Sequence, residues 1–267
     1  MNTHFPDYYK DFKCIAGKCR HTCCAGWEID VDEESAARFK DHPDIMEHIE
    51  GNSIILKEDE RCPFLLDNGL CDMILKHGED FLCDICTEHP RFYNDYGDHI
   101  EGGIGLVCEE ACRVVLDKQA PFKLVPPLQL SPLIDMIYDQ QKPLSGILST
   151  FKPDRMAPVT RVSFIKKLEV LDPAWTLIMD KIASDPPSLQ TENKIIDEDS
   201  MRFRNFCAYL IYRYDGQPGF AAESAYLLAD IVNAGTGIHE AARMFSGEIE
   251  YSDINIDTAL EVLEQNR

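Results

Sequence analysis

Apolar residues recur with a helical period along most of the C-terminal part of the chain. The pattern predicts helices over residues 162–171, 173–182, 200–214, 220–233, 236–245 and 252–264. Asp172 and Pro173 supply a cap and a first-turn proline for the second of these helices. The helix over 201–214 is apolar around much of its circumference. We predict that it is central to an all-α unit, with its aromatic residues in the core and Cys207 as a small buried hydrophobe.

The first 118 residues lack such periodicity and are broken by cysteine, glycine and aspartate. Two helices are predicted there, one over about 32–50 with a cap at Asp32, and one over 109–116. Seven prolines between positions 121 and 158 disfavour a long helix in that stretch, although Ser131 and Pro132 suit the start of a short one. We therefore predict a mainly α fold: an irregular cysteine-rich metal-binding domain (1–118), a proline-rich connector on the surface (119–160) and an all-α helical domain (161–267).

Charge and hydropathy restrict the classes of function. The chain has 47 acidic and 26 basic residues, for a formal net charge of −21, which repels nucleic acid phosphates and anionic lipid surfaces. Its apolar runs fall short of the roughly 18 residues that a membrane span needs. Residues 1–7 have neither the basic segment nor the apolar stretch of a secretory signal. We expect a cytoplasmic protein that binds neither nucleic acid nor membranes.

Cysteine is concentrated in one part of the sequence. Ten of the eleven cysteines lie within the first 112 residues, and Cys23 and Cys24 are adjacent. Disulfides are rare in a reducing cytoplasm, so thiols at this density favour metal binding or catalysis. Thiolates are soft ligands that select iron–sulfur clusters, zinc or copper(I). The residues alone leave three alternatives open: an iron–sulfur centre, a zinc site, or reactive and structural thiols. Ten thiols could serve two metal centres.

The neighbours of the cysteines carry a recognisable arrangement. Its parts are Phe12-Lys-Cys14 through Cys19-x3-Cys23-Cys24-x2-Trp27, Cys62-Pro-Phe64-Leu65 with Gly69-Leu70-Cys71, Leu82-Cys83-x2-Cys86-x2-His89-Pro90-Arg91-Phe92, and Glu101-x-Gly103-x-Gly105-Leu106-x-Cys108-Glu109-Glu110-Ala111. These motifs closely resemble the flagellin lysine-N-methylase (FliB-type) family, within the cysteine-cluster proteins described as zinc- or iron-chelating. Leu210-Ile211-Tyr212-Arg213 and the segment from Phe245 to Asn255 look like the family's C-terminal signatures.

The resemblance implies a cytoplasmic enzyme that holds a [4Fe-4S] cluster and transfers methyl groups from S-adenosylmethionine to lysine ε-amines of flagellin. Zinc is the alternative metal. The metal ligands that the shared motif implies are Cys14, Cys19, Cys23, Cys24, Cys62, Cys71, Cys86 and Cys108. Cys83 matches a subset of the family, and Cys112 is peculiar to this chain.

Methyl transfer also needs groups that take the proton from a lysine ammonium. The weak candidates around the cysteine motifs are His89, Arg91, Tyr93, Glu101 and Glu109. Arg91 could pair with a carboxylate of the methyl donor or neutralise cluster charge. Two other functions stay open: a non-enzymatic metal-binding interaction module, and a methylase of another peptide or amine.

Overall fold

A computed structural model describes residues 2–264, which form two compact units. The cysteine-rich unit is Lys13–Phe92, and the helical unit combines residues 2–12 with residues 93–264. The boundaries predicted at 118 and 160 are therefore replaced by boundaries at 12 and 92. Residues 1 and 265–267, which the predicted domains included, lie outside the described residues.

Helices dominate residues 2–264, as predicted. The strands are β1 (Asn2–Pro6), β2 (Ile49–Glu50), β3 (Ser53–Ile54), β4 (Arg91–Asp95), β5 (His99–Ile104) and β6 (Leu124–Val125). The helices are α1 (Glu33–Phe39), α2 (Pro43–Met46), α3 (Asp72–His77), α4 (Asp84–Glu88), α5 (Glu109–Leu116), α6 (Pro132–Ile137), α7 (Leu144–Phe151), α8 (Pro158–Ile165), α9 (Pro173–Ser184), α10 (Leu189–Glu198), α11 (Ser200–Arg213), α12 (Pro218–Asn233), α13 (Ile238–Phe245) and α14 (Asp253–Glu264). Single 3-10 turns lie at Tyr9–Asp11, Ala16–Lys18 and Glu79–Phe81, and a π-helical turn follows α13 at Ser246–Glu250.

The cysteine-rich unit is built from short elements around a small core. The Asp32 side chain accepts a hydrogen bond from the Ser35 amide and caps α1, as predicted. The single helix predicted over 32–50 is wrong, because a second helix starts at Pro43 and the chain is already in β2 at Ile49. Cysteines are part of the core, which comprises Ile29, Val31, Phe39, Ile45, Ile54, Cys62, Phe64, Leu65, Met73 and Cys83.

A small sheet joins the start of the chain to the helical unit. Its strand order is β4-β5-β1-β6, with β1 parallel to β5 and antiparallel to β6. The pairing of His4 with Glu101 fixes the parallel register. Gly102 is required in β5, because a Cβ atom there would lie 2.5 Å from the Phe5 ring. This pairing explains why residues 2–12 and 93–118 belong to the helical unit rather than to the cysteine-rich one.

Two helices form the core of the helical unit. All residues from Phe203 to Tyr212 in α11 and from Gly219 to Ile231 in α12 are buried. The central position predicted for residues 201–214 and the burial predicted for Cys207 are confirmed. The surface connector predicted over 119–160 is corrected, because α7 buries Leu144 and three further residues in the same core.

Helix α10 was not predicted, because its ten residues are mostly polar and only two of them are buried. None of the helices in residues 2–264 has the length and apolar character that crossing a membrane demands.

Candidate metal centre

Five cysteines from four segments lie near one another in the cysteine-rich unit, close enough for their thiols to interact electrostatically: Cys24, Cys62, Cys71, Cys83 and Cys86. The Cys62 amide donates to the Cys24 carbonyl at 2.8 Å, and the Cys86 amide donates to the Cys83 carbonyl at 3.0 Å. Cys71 pairs with Leu65 in an isolated β-bridge. Cys62 and Cys83 belong to the core, and the other three cysteines pack against it. The structure thus gathers residues that lie up to 62 positions apart in the sequence.

Local backbone structure places these thiols. Cys71 immediately precedes α3 and Cys83 immediately precedes α4, so both stand at helix starts. Cys86 lies three residues after Cys83, within α4. Gly17 permits the loop that carries Cys14 and Cys19 to approach residues 68–70, because a Cβ atom at Gly17 would lie 2.5 Å from the Asn68 carbonyl oxygen. Gly17 therefore serves a close backbone contact between two cysteine-bearing segments.

The thiols shift one another's pKa values. Hydrogen bonding from Cys23 lowers the pKa of Cys24 to about 6. Burial, together with the nearby Cys24 and Cys71, raises the pKa of Cys62 to about 11. A hydrogen bond with Cys86 lowers the pKa of Cys83, and the same bond together with burial raises the pKa of Cys86. Such a set holds protons that metal binding must release, since the ligand form is the thiolate.

Three further predicted ligands lie toward the surface of this unit. Cys14 and Cys23 are exposed and Cys19 is half-buried. The Cys19 thiol donates to the His21 carbonyl at 3.1 Å, and the Cys14 sulfur accepts from the Ala16 amide at 3.4 Å. The Trp27 indole N–H donates to the Cys23 carbonyl. These contacts are local, and the Cys14–Cys23 segment belongs to the same unit as the five cysteines described above.

Cys108 and Cys112 belong to the helical unit. Cys108 is half-buried at the start of α5, and Cys112 is fully buried in that helix. The Cys112 thiol donates to the Leu106 carbonyl at 2.8 Å, and burial raises its pKa. Seven of the eight ligands implied by the resemblance, together with Cys83, therefore lie in one compact unit, and Cys108 lies in the other.

The donor set fits a soft metal or an iron–sulfur cluster. All eleven cysteines are free thiols, and eight of them lie in the cysteine-rich unit. Four thiolates that arrive from different segments are what a [4Fe-4S] cluster or a closed zinc site requires. A unit with only a small apolar core also gains most from metal ligation.

The predicted catalytic residues are divided between the two units. His89 follows α4 in the cysteine-rich unit, with its ring 5.7 Å from the Trp27 ring, and burial lowers its pKa to about 4. The Arg91 guanidinium donates to the Thr87 carbonyl at 2.8 Å. In the helical unit, Glu101 is 3.4 Å from the His99 ring nitrogen and burial raises its pKa.

The remaining two candidates, Tyr93 and Glu109, also lie in the helical unit. The Tyr93 hydroxyl is 3.5 Å from that of Tyr9, and Glu109 lies in the first turn of α5. The five candidates are therefore not gathered within either unit.

The helical unit also contains a tyrosine–glutamate cluster that was not predicted from the sequence. The Tyr209 and Tyr214 hydroxyls both donate to the Glu250 carboxylate at 2.9 Å. The Arg213 guanidinium lies 3.5 Å from Glu250 and within 6.0 Å of the ring centres of Tyr209, Tyr214 and Tyr251. Aromatic faces and a carboxylate together bind a cation. Glu250 and Arg213 lie in the two C-terminal signatures, so these signatures were the sequence feature that could have indicated the cluster.

Another part of the C-terminal signature is structural. Glu248 accepts hydrogen bonds from the amides of Leu171 and Asp172. The Asn255 side chain accepts from the Glu169 amide at 2.9 Å and donates to the carbonyls of Glu169 and Glu248. These bonds fix the loop between α8 and α9 against the start of α14.

The structure defines a class of protein in which one chain contains a cysteine-rich unit and a mainly α unit. Three curated proteins from Salmonella are similar in sequence to part of this chain. Over a 127-residue alignment covering 42% of this chain, the sequence is 24% identical to the lysine-N-methylases of Salmonella choleraesuis (strain SC-B67) and Salmonella typhimurium (strain LT2). An alignment of the same length and identity matches the flagellar biosynthetic protein FliU of Salmonella muenchen.

The alignment spans 32% of each lysine-N-methylase and 75% of FliU. The resemblance to FliB-type lysine N-methylases is thereby confirmed as a similarity to part of those proteins. No protein-family model matches the sequence, and neither does any solved structure.

Proposed function

We propose that the protein is a lysine N-methyltransferase that carries an iron–sulfur cluster in its cysteine-rich unit and uses S-adenosylmethionine as methyl donor. The observation that carries this proposal is the convergence of five thiols in a chain similar to proteins named lysine-N-methylase. The name of the relative FliU supports flagellin as the protein substrate.

Four of the five converging thiols suffice for one [4Fe-4S] cluster. Cys24, Cys62, Cys71 and Cys86 are the proposed ligands, because they come from four different segments and each of them interacts electrostatically with at least one other member of the set. Cys83 stands beside Cys86 as a hydrogen-bond partner, and Cys14, Cys19 and Cys23 extend the thiol set toward the surface. When bound, such a cluster supplies one-electron chemistry whose potential depends on solvent exposure and on hydrogen bonds to its sulfurs.

The lysine amine must lose its proton before its nitrogen can accept a methyl group. A dry site with a carboxylate or a tyrosine nearby makes that loss easier. We infer that Glu250, with Tyr209, Tyr214 and Tyr251 around it, receives the amine in place of the Arg213 guanidinium, the cation that these aromatic faces and this carboxylate surround in the structure. Tyr251 is 40% exposed and offers the point of access. The net charge of −21 attracts lysine-rich segments of a substrate.

Methyl transfer to flagellin tests the proposal. Protein purified anaerobically is incubated with labelled S-adenosylmethionine and purified flagellin, and the modified residues are located by mass spectrometry. We expect label on lysine ε-amines. Glu250→Gln should lower the rate at least tenfold without changing the iron content, whereas Glu261→Gln, on the exposed face of α14, should change neither.

The opposite outcomes identify the alternatives. Iron-loaded protein that labels no flagellin lysine but labels a protein in host lysate would change the substrate and keep the reaction. Stoichiometric zinc, with no binding of S-adenosylmethionine by calorimetry, would instead indicate a non-enzymatic metal-binding module.

A further inference from the structure

A second group of metal-ligating side chains lies in the cysteine-rich unit and contains no cysteine. One ligand atom from each of His42, Asp44 and His77 lies within 4.8 Å of the other two. The His77 Nε2 atom is 3.0 Å from the Asp44 Oδ2 atom. The two imidazole rings stand nearly perpendicular, at 81°, with their centres 4.8 Å apart. Nothing in the cysteine motifs predicts this arrangement.

Two helices bring the three residues together. His42 immediately precedes α2, Asp44 lies in the first turn of that helix, and His77 is the last residue of α3. The Phe81 ring supports both imidazoles, with ring centres 4.8 Å from His42 and 5.0 Å from His77. The aromatic contact restricts the two imidazoles, so the ligand atoms are held near one another before any ion arrives.

The spacing suits a tetrahedral ion. Zinc bonds of roughly 2.0–2.1 Å to nitrogen and oxygen place neighbouring ligand atoms about 3.3 Å apart. The His77–Asp44 separation of 3.0 Å is already near that value, and the His42 ligand atom lies within 4.8 Å of both. Two imidazoles and one carboxylate favour zinc and related divalent transition metals over magnesium or calcium, which prefer oxygen ligands alone.

The surroundings leave room for a fourth ligand. A cavity of about 80 Å³ borders Asp44 and His77 and is also lined by Glu47, His48 and Asp72. This volume accommodates a water molecule with polar partners around it. Three protein ligands with a water in the fourth position are the arrangement of an accessible zinc site.

We propose that His42, Asp44 and His77 form a binding site for a divalent transition metal, with zinc as the best match and a water from the adjoining cavity as the fourth ligand. The metal joins the start of α2 to the end of α3 independently of the thiols. The proposal is also independent of methyl transfer, because it rests on none of the residues assigned to that reaction.

Cobalt(II) is a suitable probe, because its spectrum separates the two kinds of site. Full-length protein, purified anaerobically with its thiols in their native state, is titrated with Co²⁺. We expect one equivalent whose visible ligand-field bands lack the thiolate-to-cobalt charge transfer that a cysteine site produces. Zinc should displace this equivalent.

Three variants show which residues bind this equivalent of cobalt. Asp44→Asn keeps a hydrogen-bonding partner for His77 but removes the charged ligand, and His77→Ala removes an imidazole. Each should weaken the thiolate-free binding of cobalt at least tenfold. His239→Ala, in the helical unit, is the matched control and should leave the binding unchanged.

Two results would overturn the proposal. One is a spectrum in which all bound cobalt shows thiolate charge transfer. The other is thiolate-free binding with the same affinity in Asp44→Asn and His77→Ala as in the unsubstituted chain, which would leave the His77–Asp44 contact as an ordinary hydrogen bond. Circular dichroism of Asp44→Asn, whose side chain is 45% exposed, establishes that this variant is folded.

Discussion

Cys62 and Cys207 are both buried, with 6% and 0% of their surface exposed, yet their surroundings differ. Cys62 lies among other thiols in a small core, whereas Cys207 lies in the aromatic helix α11 with its sulfur 4.0 Å from the Ala221 carbonyl oxygen. Burial raises the pKa of Cys207 to about 12, as expected for a structural thiol. The two cysteines therefore differ in their neighbours rather than in their burial.

This difference gives a direct prediction. Cys62→Ser should remove most of the bound metal, because serine is a far poorer ligand for iron than a thiolate. Cys207→Ser should leave the metal content unchanged. Iron, zinc and acid-labile sulfide per chain, measured on anaerobically purified protein, check both statements. Equal metal loss in the two variants would contradict the assignment of ligands.

We expect a buried charge cluster to make the free energy of unfolding of the helical unit depend on pH. The fully buried Arg161 guanidinium donates to Glu192 at 2.7 Å, to Glu223 at 3.0 Å and to Asp230. Arg155 approaches Glu192 at 3.7 Å. Burial and the facing Glu192 carboxylate together raise the pKa of Asp230 to about 7, although the Arg161 guanidinium acts in the opposite direction. A proton on the Asp230 carboxyl would let its buried Oδ1 atom, which has no hydrogen-bond partner among residues 2–264, act as a donor.

The sign of the effect follows from linkage. The folded state keeps the Asp230 proton up to about pH 7, whereas the unfolded chain loses it near pH 4. The contribution of Asp230 to the free energy of unfolding therefore falls as pH rises between these values, by up to about 1.4 kcal/mol per pH unit.

Denaturation at several pH values checks this prediction. Asp230→Asn should lose this part of the slope, while Asp257→Asn, on the exposed side of α14, should keep it. Identical slopes for Asp230→Asn and the unsubstituted chain would show that Asp230 does not hold the proton.

At the scale of elements, hydrogen bonds of one asparagine hold together parts that are distant in sequence. Asn255 is fully buried and makes three hydrogen bonds with Glu169 and Glu248, which join the start of α14 to the loop before α9. Its replacement by alanine leaves two carbonyls and one amide without those partners. Buried polar groups that lose their partners each cost roughly 1–3 kcal/mol.

We therefore expect Asn255→Ala to lower the free energy of unfolding of the helical unit by about 3 kcal/mol. Gln190→Ala, on the exposed face of α10, serves as the control and should stay within about 0.5 kcal/mol of the unsubstituted chain. Chemical denaturation followed by tyrosine and tryptophan fluorescence provides the comparison. A change of less than about 1 kcal/mol in Asn255→Ala would show that water replaces these hydrogen bonds.

Sequence patterns predicted the helices that have a strong local signal. The apolar period located α5 and the helices from α11 to α14, and the Asp172-Pro173 pair located the start of α9. Weak local patterns failed for physical reasons. Helix α10 buries Glu192 against Arg161, so one of its core positions is charged. Strands β1 and β5 depend on pairing across almost a hundred residues, and no periodicity along the chain records such a contact.

At the scale of the molecule, the two units differ in what holds them together. The helical unit contains two helices that are buried along most of their length, whereas the cysteine-rich unit has ten core residues, two of them cysteines. The thiol-rich character of this unit could be predicted from the sequence. Its boundaries could not, because they are set by the pairing of β1 with β5 in the other unit.

Metal removal should therefore affect the two units unequally. Chelation under reducing conditions should lower the hydrogen-exchange protection of Lys13–Phe92, since metal ligation replaces part of the missing apolar core. Protection of α11 and α12 should change little. Exchange followed by mass spectrometry resolves both regions, and equal loss of protection in both would contradict a metal centre confined to the cysteine-rich unit.

The central claim is that the converging thiols hold an iron–sulfur cluster. Native mass spectrometry of the anaerobically purified chain tests it most directly, because the mass of the bound group identifies it. We predict a chain that carries one [4Fe-4S] cluster and a Cys62→Ser chain that does not. A chain that carries zinc alone, or a Cys62→Ser chain that retains the full cluster, would contradict it.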